Sequence, residues 1–236
     1  MTARQTAWLL ILMGCPGILS LMLALPPSHD VPRVALLIQP ALLLVVFAFA
    51  GNWAAARCGF RGFTRAGAWR RFQEATLGLL LGLVLAFADQ LAHGLWQAAP
   101  GRPPSLIEGW RPTGLAIGML YGGVVEEIVF RWGAMSLLTF GLWRALARHA
   151  RQPPAACIMA ALAVTAILFA AGHLPALFAA GDAPGPGIIA RTLLLNFIAG
   201  IAFGVLYARR DLAAAMSAHA CTHAGIALAV LMHTAR

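Results

Sequence analysis

The stretch Tyr121-Gly-Gly-Val-Val-Glu126-Glu127-Ile-Val-Phe-Arg131 sets two adjacent carboxylates and an arginine inside an apolar run from about Thr113 to Leu138. Two further apolar segments carry imidazoles, in Phe169-Ala-Ala-Gly-His173 and in His219-Ala-Cys-Thr-His223. A carboxylate in a water-poor pocket is a competent general base near neutral pH. A neighbouring imidazole can share its proton and orient a water, and others can donate to a developing oxyanion. Glu126, His173, His219 and His223 therefore suffice for hydrolysis of a peptide bond by an activated water, with no covalent intermediate. The same four could instead hold zinc or another divalent metal, since histidines plus a carboxylate form a common hydrolytic site. No serine–histidine or cysteine–histidine dyad stands out, and the metalloprotease helix His-Glu-x-x-His is absent.

Charges at such depth cost roughly 2.5–3.5 kcal/mol each on insertion scales, so each needs a partner or a task. Glu127 and Arg131 stand at i,i+4 with the acid first, the favourable order for an ion pair. Glu126 is turned about 100° away and has no local cation. It continues a stripe of Gly114, Gly118 and Gly122, small residues that let another helix approach closely. The plain alternative is a Glu–Arg clasp that only sets a packing register. His219 and His223 share one face of their segment. Depth counting at ~1.5 Å per residue puts Glu126 and His219 near mid-bilayer, with His173 nearer one surface, an offset that tilt or a kink at Pro175 absorbs.

These residues need helices to position them, and the composition supplies helices of one kind. The 236 residues are 61% hydrophobic and 11% charged, where a soluble domain carries about 25% charged residues. Apolar runs are expected over Thr6–Leu25 (ended by Pro26-Pro27), Val34–Ala56, Ala75–Leu95, Thr113–Leu138, Ala155–Ala180, Ile188–Ala208 and Leu212–Met232. At about 20 residues per crossing this is an all-α, polytopic bundle of about seven transmembrane helices. The first run is expected to remain as a helix, for it is long for a signal peptide. Gly78, Gly82 and Ala86 give the third span a close-packing face, while Asp89, Gln90 and His93 are expected to be solvated at its far end. Residues 1–112 are expected to supply three helices and 113–236 the catalytic ones, in one integrated membrane domain.

The basic excess is entirely arginine. It concentrates in Arg57–Arg71, Arg144–Arg151 and Arg209–Arg210, which places those segments and the N-terminus in the cytoplasm by the short-loop rule. A multi-pass protein of the cell membrane, of bacterial inner-membrane type, is implied, with the lipid bilayer as its medium and no nucleic-acid partner. The four cysteines show no paired spacing.

The three segments together resemble the CPBP (CAAX-processing and bacteriocin-processing, or Abi) intramembrane endopeptidases. Glu126-Glu127-Ile-Val-Phe-Arg131 matches that family's Glu-Glu-x-x-x-Arg, Phe169-Ala-Ala-Gly-His173 its Phe-x-x-x-His, and His219-Ala-Cys-Thr-His223 its His-x-x-x-Asn/Asp. The resemblance implies that Glu126 and His173 activate water, that His219 and residue 223 stabilise the oxyanion, and that Glu127, Arg131 and Phe169 brace the site. It implies a membrane-anchored protein or peptide as substrate. His223 departs from the usual Asn or Asp; a neutral imidazole still donates a hydrogen bond, and it also suits a metal. The metal-free glutamate mechanism, with no cofactor required, is the preferred reading. Intramembrane acids and histidines also serve proton- or ion-coupled carriers, the alternative of a different class. Against it, the charged cluster is not repeated in a second half.

Overall fold

The computed structural model describes residues 3–23, 32–96, 105–179 and 183–235. Pro26-Pro27 and Asp182 lie outside the described residues. The described residues are 84% helical, with no strand among them. Its helices are α1 (Ala3–Ser20), α2 (Ile38–Cys58), α3 (Ala68–Ala92), α4 (Pro112–Leu146), α5 (Ala155–Ala171), the short α6 (Leu174–Ala179), α7 (Pro186–Arg209) and α8 (Leu212–Thr234). Among the described residues seven segments are long and apolar enough to cross a membrane, the fourth running 35 residues from Pro112 to Leu146. Large apolar side chains cover the outside, among them Leu12, Val84, Ile167 and Leu231, each more than half exposed. Such a surface is stable against lipid and costly against water.

Helix ends follow local chemistry. Gly59, at φ 78°, takes the left-handed turn that stops α2, and its N–H bonds the Ala55 carbonyl. Asp211 caps α8, accepting from the Ala214 N–H at 2.8 Å. The same carboxylate receives Arg71 through both Nη atoms at 2.9 and 2.8 Å, together with the Thr64 hydroxyl. Arg71 and Arg70 therefore belong to the first turn of α3 and not to the loop, and with Arg210 they neutralise buried Glu74. The chain from Arg61 to Arg71 is thus tied to the α7–α8 turn at one end of the bundle.

Two rows of glycine seat the histidine helix. A Cβ on Gly78 or Gly82 would fall 2.0 Å from the carbonyl oxygen of Ala218 or Thr222, and one on Gly225 would fall 2.1 Å from that of Leu79. α3 and α8 therefore touch backbone to backbone, and among the described residues no other pair of helices packs so extensively. On the opposite side stands α4, with Gly118 against His223 and Gly122 against both imidazoles. α1 and α2 complete the packing around α4, Gly17 at Leu120 and Gly51 at Trp132. From Gly118 to Met135, save at Glu127, α4 is wound with i→i+5 bonding, a form that recurs at functional sites.

Candidate active site

α4 carries Glu127 and Arg131 to the middle of the bundle, where both are buried. Arg131 Nη1 lies 3.1 Å from Glu127 Oε1, and Nη2 donates to the Gly200 carbonyl at 3.1 Å. Nη1 makes an ion pair without an aligned hydrogen bond. The guanidinium also sits 4.4 Å over the Phe169 ring and 5.4 Å over Phe203, contacts that offset part of its desolvation. Phe169, almost fully buried on α5, is the hub: its ring also meets those of Phe130, His173 and His219 edge-on.

Glu127 has a second partner that helical spacing does not reveal. His219 Nδ1 lies 2.7 Å from its Oε1. A carboxylate paired with Arg131 only accepts, so this contact assigns the proton to Nδ1 and leaves the lone pair of the neutral ring on Nε2. That Nε2 is 3.9 Å from Glu126 Oε2. His219 thus stands between the two acids, stacked on Phe203 at 4.3 Å between centroids. Of the two carboxylates, Glu126 keeps 17% of its side-chain exposure and Glu127 none.

His173 follows the end of α5, where the chain breaks before α6. Its Nδ1 donates to the Phe169 carbonyl at 2.8 Å, so its Nε2 also presents a lone pair. His223 stacks on His219 at 5.3 Å, and neither of its nitrogens is engaged in a hydrogen bond among the described residues. His173, His219 and His223 line one cavity of about 280 Å³, shared with Phe169, Asn196 and Arg191. Glu126 is not in that wall; it approaches from α4 through His219 Nε2. Asn196 comes from α7, its Nδ2 bonded to the Thr192 carbonyl at 2.9 Å. The signal for it was present in the sequence, as a lone amide in an apolar span on a stripe with Gly200 and Gly204.

One expectation is overturned. Neither Asp89 nor His93 is solvated at the end of α3: His93 is 5% exposed and Asp89 2%, the latter gripped by Arg191 Nε and Nη2 at 2.5 and 2.6 Å. The pair joins residues 102 apart, and neither has an arginine or carboxylate of opposite charge within a turn on its own helix.

Among the described residues no three His, Cys, Asp or Glu side chains converge closely enough to share a metal ion. As arranged, Glu126, His173, His219 and His223 do not come together around one point.

Residues 108–225, half of the chain, match the family model described as Type II CAAX prenyl endopeptidase Rce1-like. The chain belongs to this family. The endopeptidase is therefore a multi-pass membrane protease, a hydrolase acting on a membrane-associated protein or peptide. The matched region contains every candidate site residue from Glu126 to His223, and family membership sets aside the carrier alternative. No curated protein and no solved structure matches the chain.

Proposed function

We propose that this endopeptidase hydrolyses a peptide bond of a membrane-anchored protein or peptide with a water held between Glu126 and His219. The carrying observation is His219 lodged between two acids, its Nδ1 engaged by Glu127 and its Nε2 facing Glu126. Two acceptors 3.9 Å apart can share one water at about 2.8 Å from each, with roughly 90° between the two bonds. Both protons of that water are then drawn away, and its remaining lone pair points at the substrate carbonyl. Glu126 takes a proton as the new C–O bond forms. His173, whose Nε2 is free to accept, relays it to the departing nitrogen as the C–N bond breaks. His223 donates to the oxyanion from the cavity they share. His219 acts here as an acceptor beside the water, a departure from the oxyanion role that the family resemblance implies. The arginine bias further orients the chain with a cytoplasmic N-terminus in a bacterial inner membrane, and reporter fusions at Arg144–Arg151 and at the C-terminus test that.

The test of mechanism is cleavage of a membrane-anchored peptide library by the protein purified in detergent, read by mass spectrometry. Wild type is expected to yield discrete products. Glu126→Gln keeps the shape of the side chain and removes the base, so products should vanish while the melting temperature holds. Near-normal turnover by Glu126→Gln overturns the assignment.

A further inference from the structure

Arg191 takes no part in this chemistry, yet it stands in the wall of the site. It lies in the second turn of α7 and is 9% exposed. Asp89 holds its Nε and Nη2 and also accepts from the Leu106 N–H at 2.8 Å. The cation is thereby pinned against both α3 and the segment that precedes α4. A carboxylate bound through Nε and Nη2 occupies one edge of the guanidinium and leaves the edge built on Nη1. Among the described residues Nη1 makes no hydrogen bond, and it is not one of the fully buried orphaned atoms. Arg191 itself borders open space.

That space is a second chamber of about 510 Å³, which shares Arg191, His223, Leu106 and Ile226 with the histidine cavity. Arg111 also lines it, and no acidic side chain does among the described residues. Asp89 cancels the charge of Arg191, and Arg111 returns the chamber to net positive. The distance to His223, the oxyanion donor, follows from α7 and α8, which run antiparallel from the Arg210–Asp211 turn. Phe203 is level with His219, since their rings stack. Arg191 lies about 18 Å along the axis from Phe203, and His223 recovers about 6 Å of that. The remaining ~12 Å is spanned by three or four extended residues.

We propose that Arg191 is a carboxylate-binding subsite, which holds an anionic group of the substrate a few residues from the scissile bond. The proposal rests on the proteolytic reading of the histidine cavity and names the recognition element of that same site. The carboxylate has two sources, the substrate's own C-terminus or an acidic side chain near it.

Binding, not cleavage, decides the matter, which keeps its failure apart from failure of the proposed mechanism. Fluorescent palmitoylated alanine-rich decapeptides are titrated into Glu126→Gln protein in detergent. One ends in a free carboxylate, one in an amide, and one in an amide with glutamate as its last residue. The free acid, the glutamate peptide or both should bind at least tenfold tighter than the plain amide, and which of them does so identifies the source. In the added double substitution Asp89→Asn/Arg191→Gln, which leaves no orphan charge, that preference should shrink to less than twofold with the melting transition retained. Should the double variant fail to melt cooperatively, Arg191→Lys decides, because it keeps a cation and loses the second planar edge; its preference should be clearly reduced. Equal binding of all three peptides, including no binding of any, overturns the proposal. So does a preference that survives the substitutions.

Discussion

Glu127→Gln strikes the carboxylate that holds both Arg131 and His219. In Glu127→Gln the Arg131 guanidinium keeps only the Gly200 carbonyl and the faces of Phe169 and Phe203. Breaking a buried pair from one side costs about 3–5 kcal/mol, and the ring contacts, present in wild type as well, do not offset it. Such a loss corresponds to a fall of about 6–20 °C in melting temperature for a chain of this length. The second effect is on the imidazole. The glutamine amide can donate to His219 Nδ1, which moves the ring proton to Nε2 and turns the acceptor facing Glu126 into a donor. Adding Arg131→Met removes the orphan charge, so the double variant should regain most of the lost stability and none of the lost turnover. Differential scanning fluorimetry in detergent, run beside the peptide-cleavage assay, reads both quantities. A Glu127→Gln protein that melts with wild type, or a double variant with restored turnover, refutes the reasoning.

His223→Asn should keep substantial activity, because an amide N–H replaces the imidazole donor, while His223→Ala should lose roughly 10²–10³-fold in turnover. Chelator should leave wild type unaffected; two inactive variants and a chelator-sensitive wild type would reverse the metal-free preference. Gly122→Ala places a Cβ 3.1 Å from Nε2 of both His219 and His223. Turnover should fall by about tenfold or more with melting shifted by only about 2–4 °C, since the clash is with movable rings; unchanged turnover would show that the rings have slack. Burial raises the Asp211 carboxyl, but the Arg71 and Thr64 hydrogen bonds and the Ala214 N–H outweigh it and bring its pKa from 3.8 down to about 2. A folded pKa below the unfolded one contributes stability above about pH 4, and that contribution, about 2 kcal/mol, is lost as pH falls through 2. Melting temperature should drop across that window in wild type and stay flatter in Asp211→Asn.

The spans were legible because lipid demands long apolar helices, and a run such as Leu212–Met232 has no other stable form. The Glu127–Arg131 pair was legible because four residues on a helix bring side chains together wherever the helix lies. The glycine rows of α3 and α4 announced a close neighbour, and the structure supplies α8 for both. What stayed hidden depends on which helices meet. No local pattern joins Asp89 to Arg191, or Asp211 to Arg71, because each pair closes across more than a hundred residues. The tautomer of His219 was hidden for the same reason: it is set by Glu127 from another helix. Solvation of Asp89 was the natural inference from a polar trio at a helix end, and it failed because Arg191 enters from α7 to replace the water.

The backbone contact between α3 and α8 leaves no compressible layer between them. Side-chain interfaces give under load, because rotamers shift and methyl groups slide past one another; two main chains meeting at Gly78, Gly82 and Gly225 have nothing to yield. α8 is thus a fixed rail, and His219 and His223 hold their depth whatever substrate arrives. Accommodation of different peptides then falls to the wall opposite, where α7 and the segment around Leu106 border both chambers. Drift in α7 alters what is admitted, whereas a single methyl on the α3 glycines displaces the rail itself.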